Sequence, residues 1–158
     1  MKRVLTLFLT LVFAIGICFS TPLVFKASAE YDETSGFYYS LNDDGKSYSV
    51  TAYGGEGMVN VVIPSEYKAL PVTVIESWSF DSDSIKTVTI PNSIKKIEDT
   101  AFEGCVSLTS IVIPDSVESI GKNAFRNCNM LSAITIGKSV NWIGASAFEN
   151  TAFYNKRY

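Results

Sequence analysis

The residues that could do chemistry in this sequence are few, and they do not form a catalytic group. The 158 residues contain no histidine, which removes the usual general base, the Ser-His and Cys-His nucleophile pairs and the commonest metal ligand. No pair of carboxylates has surroundings that would make one the acid and the other the base. The sequence therefore predicts a protein that is not an enzyme and that has no catalytic residue and no cofactor.

Cys105 and Cys128 are the cysteines that follow Ala29, and two thiols without histidine do not make a zinc site. Secretion would permit a disulfide between them. Side chains on neighbouring strands keep their Cβ atoms about 5 Å apart, however, which is wider than a relaxed disulfide requires. We therefore expect small buried thiols. Without a histidine, and in a dry site, neither thiol is expected to be a nucleophile.

Two acidic segments offer oxygen ligands of the kind that calcium prefers. They are Asp81-Ser82-Asp83 and Asn42-Asp43-Asp44-Gly45. Neither segment continues with the later ligands of an EF-hand loop. Both are interpreted as turns, and the sequence predicts no metal site.

A fixed repeat period organises the second half of the chain. Three hydrophobic positions keep one register: Ile90, Ile113 and Ile136; Ile97, Ile120 and Ile143; and Phe102, Phe125 and Phe148. A constant period in the twenties indicates a solenoid, in which each repeat buries its apolar face only against its neighbours. Such an architecture presents a surface, and it favours binding over catalysis.

The N-terminal segment 1–29 is interpreted as a secretory signal peptide. Lys2 and Arg3 precede an almost wholly apolar stretch, and Ala27-Ser28-Ala29 has the small-residue pattern of a cleavage site. We expect cleavage between Ala29 and Glu30, and a product that is secreted or held at the cell surface and does not enter the membrane. The alternative is an uncleaved anchor, since the apolar stretch is long enough to cross a bilayer.

Removal of this segment makes the chain more acidic. Of the 13 basic residues, Lys2, Arg3 and Lys26 leave with the signal peptide, while all 16 acidic residues remain. A net negative charge opposes binding to a phosphate backbone. The sequence therefore predicts no nucleic-acid partner.

A β-hairpin is predicted ahead of the repeats. The segments 37–41 and 48–53 are rich in aromatic and β-branched residues, and Asn42-Asp43-Asp44-Gly45 between them is a strong turn signal. This hairpin would cap the first repeat, whose apolar face would otherwise meet water. In that repeat, the spacing between Ile63-Pro64 and Ile75 is longer than in the later repeats, and we assign the insertion to a loop over Ser65 to Pro71.

Each regular repeat divides into three parts. A short strand such as Ile111-Val112-Ile113 ends at Pro or Gly. After a turn comes a second extended piece such as Val117 to Ile120, and then a segment containing Ala-Phe, which is predicted to form a short 3₁₀ or helical turn. Adjacent strands are expected to stack about 4.8 Å apart in one parallel sheet.

These repeats resemble the BspA-type leucine-rich repeat. The resemblance rests on phrases such as 108–121 (LTSIVIPDSVESIG) and 124–128 (AFRNC), and it extends over roughly Phe37 to Tyr154. It implies a leucine-rich repeat fold: a short right-handed solenoid of about four 23-residue repeats with one parallel sheet and an N-terminal β-hairpin cap. It also implies a bacterial surface or secreted protein of the kind credited with adhesion and protein binding.

In a repeat of this type the positions of Leu108, Ile111 and Ile113 point into the core, so the residues between them point outward. Stacking these residues gives three columns on the face of the sheet. The columns are Lys86, Thr109, Ser132; Thr87, Ser110, Ala133; and Thr89, Val112, Thr135. The candidate ligand-binding residues are Lys86, Thr87, Thr89, Thr109, Ser110, Val112, Ser132 and Thr135. The alternative is that Thr and Val occur there because they suit exposed strands.

Trp142 is the candidate aromatic anchor, since its equivalents Lys96 and Ser119 are polar and predict an exposed position. The alternative is that its ring folds over the C-terminal end as part of a cap. Trp78 is expected to pack against the inserted loop of the first repeat.

The predicted domain organisation places the repeats between a cap and a short tail. Its boundaries are 1–29 signal peptide, 30–58 hairpin cap, 59–154 repeats (59–87, 88–110, 111–133 and 134–154) and 155–158 tail. The favoured function is recognition of a protein or glycan through the sheet face. The alternative is a structural module that self-associates through its C-terminal end, where an unpaired parallel edge invites another chain.

Overall fold

The computed structural model describes residues 29–53, 55 and 57–155. The predicted signal peptide, apart from Ala29, and the last three residues of the predicted tail lie outside the described residues. The strands are β1 (Glu30–Asp32), β2 (Phe37–Leu41), β3 (Tyr48–Thr51), β4 (Asn60–Val62), β5 (Glu66–Tyr67), β6 (Leu70–Ile75), β7 (Thr87–Thr89), β8 (Lys96–Ile97), β9 (Ser110–Ile113), β10 (Ser119–Ile120), β11 (Ala133–Ile136) and β12 (Trp142–Ile143). One short helix, α1 (Ala152–Asn155), follows them.

The chain winds as a solenoid of about four turns with the predicted 23-residue spacing. Each full turn has three sides. The first side carries β4, β7, β9 and β11, and the second side carries β6, β8, β10 and β12. The third side consists of the turns that contain Ala-Phe, at 99–104, 122–127 and 145–150. The fold class predicted from the repeats is therefore confirmed.

Parallel pairing is most continuous on the second side. There β6, β8, β10 and β12 are hydrogen-bonded in order and continue through β3 into the hairpin. On the first side, which the sequence assigns to one sheet, β4 pairs with β7 and β9 pairs with β11, as two separate two-stranded sheets. Pro and Gly end the first-side strands after a few residues, so each ladder is short.

The N-terminal hairpin covers the first repeat as predicted. Strands β2 and β3 are antiparallel, and β3 then pairs in parallel with β6, so the hairpin supplies the partner that the first turn lacks. Phe37 is buried and meets Phe80 of the first repeat edge to face, with ring centroids 6.1 Å apart. Strand β1, which the sequence analysis does not predict, adds an antiparallel edge to β2.

The insertion in the first repeat is a hairpin, not the predicted loop. Strands β5 and β6 pair antiparallel across Lys68 and Ala69, which both have positive φ. Two consecutive residues of positive φ are the geometry of a two-residue type I′ turn. Tyr67 stacks on the buried Tyr39 with ring centroids 3.9 Å apart, which ties the insertion to the cap.

The third side forms turns and no continuous helix where the sequence predicts a short 3₁₀ or helical turn. Within 99–104 and 122–127, Thr100, Asn123 and Asn127 have positive φ, as does Gly104, and left-handed residues interrupt a helix. The phenylalanines of this side form a continuous stack. The ring planes of Phe80 and Phe102 lie within 5° of parallel at 4.9 Å, and the stack continues to Phe125 at 5.2 Å and to Phe148 at 5.4 Å.

Thr100 is a β-branched residue at a position that has a left-handed backbone in successive turns, and this allows a test of stability. Its φ is 59°, while the equivalent Asn123 has a φ of 55°. A β-branched side chain in this region is a backbone outlier, whereas asparagine tolerates it. We expect Thr100→Asn to raise the free energy of unfolding by about 1 kcal/mol, measured by urea denaturation. Thr100→Val keeps the branching and should not stabilise. Equal stabilities for the two variants would contradict this account.

Every buried side chain of the described residues lies between Phe37 and Ala147 or at Thr151. A chain that begins at Glu30 therefore keeps the described core. Among the described residues no helix is long and apolar enough to cross a bilayer.

Candidate functional site

The first side brings the predicted columns together in the expected register. Ser110 pairs with Ala133 and Val112 pairs with Thr135 across β9 and β11. The main-chain nitrogen of Ser132 donates to the carbonyl of Thr109 at 3.0 Å, which places these two residues in the next column. The columns therefore follow from the repeat period and the alternation of side chains along a strand.

The side chains of these columns are exposed, and those between them are buried. Val112 is 62% exposed, while its neighbours Ile111 and Ile113 are 2% and 1% exposed. All eight predicted ligand-binding residues are exposed: Lys86, Thr87, Thr89, Thr109, Ser110, Val112, Ser132 and Thr135. The face they form is made of small side chains, with Lys86 as its charged member.

The first repeat extends this face by three residues that the sequence analysis leaves out. Val59, Asn60 and Val62 are exposed, and Val62 is 64% exposed. Asn60 pairs with Thr87, whose hydroxyl donates to the Asn60 side-chain oxygen at 2.7 Å. The sequence does contain a signal for this extension, because Val61-Val62-Ile63-Pro64 matches 111–114. The insertion after Pro64 breaks the 23-residue spacing and makes the match hard to see. Each column therefore has four members.

A shallow depression of about 320 Å³ lies at the centre of the face. It is lined by residues of β7 and β9, which are not joined as a ladder. Its lining includes the polar Thr87, Thr89 and Ser110 and the apolar Val112. The site can thus offer a small protruding group both hydroxyl groups and apolar surface.

The two tryptophans lie away from these columns. Trp142 is in β12 on the second side, paired with Ser119, and is 48% exposed. Trp78 belongs to the third-side position of Thr100 and Asn123 and has a φ of 58°. The expectation that Trp78 packs against the insertion is wrong, because 64% of it is exposed. The hairpin β5–β6 packs on the cap through Tyr67.

Cys105 and Cys128 are free and fully buried on the third side. Each thiol contacts the main-chain oxygen of the phenylalanine one repeat earlier: Cys105 Sγ lies 3.3 Å from the oxygen of Phe80, and Cys128 Sγ lies 3.1 Å from that of Phe102. Burial raises the pKa of the Cys105 thiol to about 11 and raises the pKa of Cys128 further. Both groups are therefore protonated near neutral pH and are poor nucleophiles.

We expect both thiols to be protected in the native protein. With residues 30–158 under native conditions, a thiol reagent such as 5,5′-dithiobis(2-nitrobenzoic acid) should label neither cysteine on the timescale of minutes, and after denaturation it should label both. The physical reason is burial together with the raised pKa of each thiol. Rapid labelling of the native protein at pH 7 would contradict the buried position. Absence of labelling after denaturation without reductant would indicate a disulfide.

The acidic segment at the β2–β3 turn is used within that turn. Asp44 accepts the main-chain N–H of Lys46 at 2.7 Å and that of Ser47 at 3.0 Å, and the Ser47 hydroxyl donates to its second oxygen at 2.9 Å. The Lys46 N–H, followed by the Ser47 hydroxyl, holds the pKa of Asp44 below its ordinary value. Within the described residues no three His, Cys, Asp or Glu side chains are grouped as a metal site would require.

The repeat pattern, the fold and the exposed face together define a leucine-rich repeat protein. The BspA type leucine rich repeat region, in six copies, matches residues 49–156. This match covers more than half of the chain, and the chain belongs to the BspA-type leucine-rich repeat family.

Solved structures of bacterial leucine-rich repeat proteins share this fold. A leucine-rich repeat protein from Bacteroides ovatus is 27% identical with a TM-score of 0.66, over 79% of this chain and 33% of that one. The T. pallidum leucine-rich repeat protein TpLRR is 25% identical with a TM-score of 0.58, over 76% of this chain and 67% of that one. The pneumococcal vaccine antigen PcpA, 21% identical with a TM-score of 0.56 over 78% of this chain and 42% of its own, shares the fold. No curated protein sequence matches the chain.

Proposed function

We propose that this chain is a secreted or cell-surface module without catalytic activity, which recognises a protein or a glycan through the exposed columns of its first side. The observation that supports the proposal most is the composition of that face. Three columns of exposed, small and mostly uncharged side chains run across four turns. The chain as a whole carries more acidic than basic residues, and the face carries Lys86 alone as a charge.

Such a face suits a flat or extended partner. Threonine, serine and valine lose little side-chain entropy when they are immobilised, so a partner that contacts them binds at a low entropy cost. Val62 and Val112 are more than 60% exposed and offer methyl groups in the column that also contains Thr89 and Thr135. The hydroxyls on either side can complete hydrogen bonds at the rim.

A protein partner is favoured over a glycan. The twelve residues of the three columns include no aromatic ring against which a sugar could stack. Trp142, the candidate aromatic anchor, lies on the second side with Ser119. A ligand would have to pass around an edge of the solenoid to contact both the columns and this ring.

A binding screen tests the proposal. Purified Glu30–Tyr158 is screened against extracellular-matrix proteins and a glycan array, beside the variant Thr89→Glu, Val112→Glu, Thr135→Glu. Each introduced carboxylate projects from the outermost column, where desolvating it against a partner is costly. We expect the variant to lose ligand capture, about a hundredfold or more in affinity for a few kcal/mol.

The matched control adds the same charge elsewhere. Asn92→Glu, Ser119→Glu and Asn141→Glu also introduce three carboxylates, in the turn after Pro91 and on the second side. The control should bind as the wild type does. Three stacked carboxylates repel one another and could unfold the triple variant. In that case the double variant Thr89→Glu, Thr135→Glu replaces it, because one repeat lies between its two charges. Equal binding by folded face and control variants would contradict the proposal.

The alternative function is a structural module that self-associates without a ligand of its own. The specific observation in its favour is apolar surface on the last described turn, where Ile136 and Ile143 are 40% and 46% exposed. If the folded protein binds no ligand in the screen, this alternative is favoured.

A further inference from the structure

Main-chain hydrogen bonds join neighbouring turns along most of the first side. Between β4 and β7, the nitrogen of Ile63 donates to the carbonyl of Thr89 at 3.1 Å. Between β9 and β11, the nitrogen of Ser132 donates to the carbonyl of Thr109 at 3.0 Å. Each of these two pairs of strands also forms a parallel ladder. The repeat therefore predicts equivalent bonds between β7 and β9.

The junction between β7 and β9 lacks the equivalent bonds. The nitrogen of Ile90 does not donate to the carbonyl of Val112, and the nitrogen of Thr109 does not donate to that of Lys86. The two strands are not joined in a ladder. Both turns have a described turn on either side, so this interruption is not an effect of a chain end.

The interruption is confined to the first side. At the same junction, the nitrogen of Glu118 donates to the carbonyl of Lys95 at 2.8 Å on the second side. On the third side, the nitrogen of Phe102 donates to the carbonyl of Ala124 at 2.8 Å. The two turns are therefore held together along two sides, and the first side is where their main-chain groups stay available to a ligand.

The depression of about 320 Å³ on the first side lies at this interruption, and Ile90 is part of its lining. Ile90 is 8% exposed, whereas the equivalent Ile63 and Ile113 are 2% and 1% exposed. The main-chain N–H of Ile90 has no acceptor among the described residues. A main-chain donor of a buried residue rarely stays without a partner, so a group that binds here is expected to accept from it.

An acceptor lies on the other strand of the depression. The carbonyl of Thr89 points toward the preceding turn, since the nitrogen of Ile63 donates to it. Val112 holds the position of Thr89 one repeat later, so its carbonyl points toward β7 in the same way. Val112 also lines the depression. The site therefore presents a main-chain donor on one strand and a main-chain acceptor on the other.

We propose that this depression binds the side-chain carboxamide of an asparagine or glutamine from a protein partner. A primary carboxamide has an acceptor oxygen and a donor nitrogen in one planar group. Its oxygen can accept the N–H of Ile90 while its nitrogen donates to the carbonyl of Val112. A carboxylate would leave the carbonyl without a donor, and an aliphatic side chain would leave both groups unpaired.

The inference rests on the proposed function and narrows the class of partner. The columns around the depression carry no aromatic ring on which a sugar could stack. Their exposed side chains are short, so a side chain that projects from a protein surface can reach the main chain between them. The partner is therefore expected to present an asparagine or glutamine at the centre of its contact surface.

An NMR titration of ¹⁵N-labelled Glu30–Tyr158 with acetamide, which represents the carboxamide group alone, tests the inference. We expect the amide signal of Ile90 to shift until it saturates, with a Kd on the order of 10 mM for so small a ligand. The amide of Ile63, which is paired with Thr89, is the internal control and should keep its position. Acetate, glucose and N-acetylglucosamine should each shift the Ile90 signal less than acetamide does at the same concentration.

Val112→Phe and Thr135→Phe are the matched variants. Val112 lines the depression, whereas Thr135 is its neighbour in the same column and is not part of the lining. Both positions are exposed, so both variants are expected to fold. A ring at Val112 should cover the depression and abolish the acetamide shift of Ile90, and a ring at Thr135 should leave that shift unchanged.

Three results would overturn the inference. They are an Ile90 signal that acetamide does not shift, equal acetamide shifts in the two folded phenylalanine variants, and a larger shift with glucose or N-acetylglucosamine, which would assign the depression to a glycan. The binding screen tells this failure apart from failure of the proposed function. If the face variant loses its ligand while acetamide leaves Ile90 unchanged, the inference alone fails. If face and control variants bind equally, the proposed function fails.

Discussion

Replacement of Phe102 by alanine is expected to lower the free energy of unfolding by about 3–5 kcal/mol. Phe102 is fully buried between the rings of Phe80 and Phe125, at centroid distances of 4.9 and 5.2 Å. Its removal leaves a cavity in the middle of the stack, which the neighbouring rings cannot fill without leaving their own turns. Each turn of a solenoid is stabilised by its neighbours alone, so the loss is not compensated elsewhere.

Phe148→Ala is the matched control for this prediction. Phe148 is the last ring of the stack, is only partly buried, and meets a single neighbouring ring of the stack, Phe125, at 5.4 Å. Truncation there should cost clearly less, about 1–2 kcal/mol. Urea denaturation followed by circular dichroism measures both variants. Equal losses for Phe102→Ala and Phe148→Ala would contradict the description of the stack as the shared core of the turns.

Replacement of Gly121 by alanine is the second large effect, with an expected loss of about 3 kcal/mol. A Cβ atom at Gly121 would overlap the main chain of Glu98 and Asp99 in the preceding turn. These main-chain atoms cannot move aside as a flexible side chain could, since the nitrogen of Gly121 donates to Ile97 at 2.7 Å and fixes the spacing of the turns. The substitution must therefore separate two turns locally.

Gly45→Ala is the control that measures the effect of backbone conformation without any overlap of the new Cβ atom. Gly45 lies in the β2–β3 turn with a φ of 62°, and a Cβ there meets no atom within 4 Å. Its substitution strains only the local conformation and should cost about 1 kcal/mol. Thermal unfolding measured by calorimetry compares the two variants. The account of close turn packing is contradicted if Gly121→Ala is at least as stable as Gly45→Ala.

The alignment of turns could be predicted from the sequence because one period fixes it. Ile97, Ile120 and Ile143 occupy the same position in successive repeats, and the structure pairs Ile120 with both of the others. Side chains alternate across a strand, so the same period also places Val112 beside Thr135 on the exposed face.

Features that break the period could not be predicted in the same way. The turn at Lys68 and Ala69 contains neither glycine nor asparagine, so the residue types do not indicate its two positive φ values. The left-handed position of Trp78, Thr100, Asn123 and Ser146 is occupied by four residue types, so the sequence does not reveal the turns of the third side.

The hydrogen-bond direction between turns illustrates a different limit. On the third side the main-chain nitrogens of Thr100 and Phe102 donate to carbonyls of the following turn, whereas on the second side the nitrogen of Gly121 donates back to the carbonyl of Ile97. Side-chain patterns carry no information about that direction.

Recognition through the first side is the central claim, and hydrogen–deuterium exchange of the complex with a ligand from the screen tests it most directly. Slower exchange in the complex than in the free protein reports where the ligand contacts or stabilises the chain. We predict that β4, β7, β9 and β11 gain protection, with the largest change around Val112, while β8, β10 and β12 are unchanged. Protection confined to the second side, to the N-terminal hairpin or to the C-terminal end would contradict the claim.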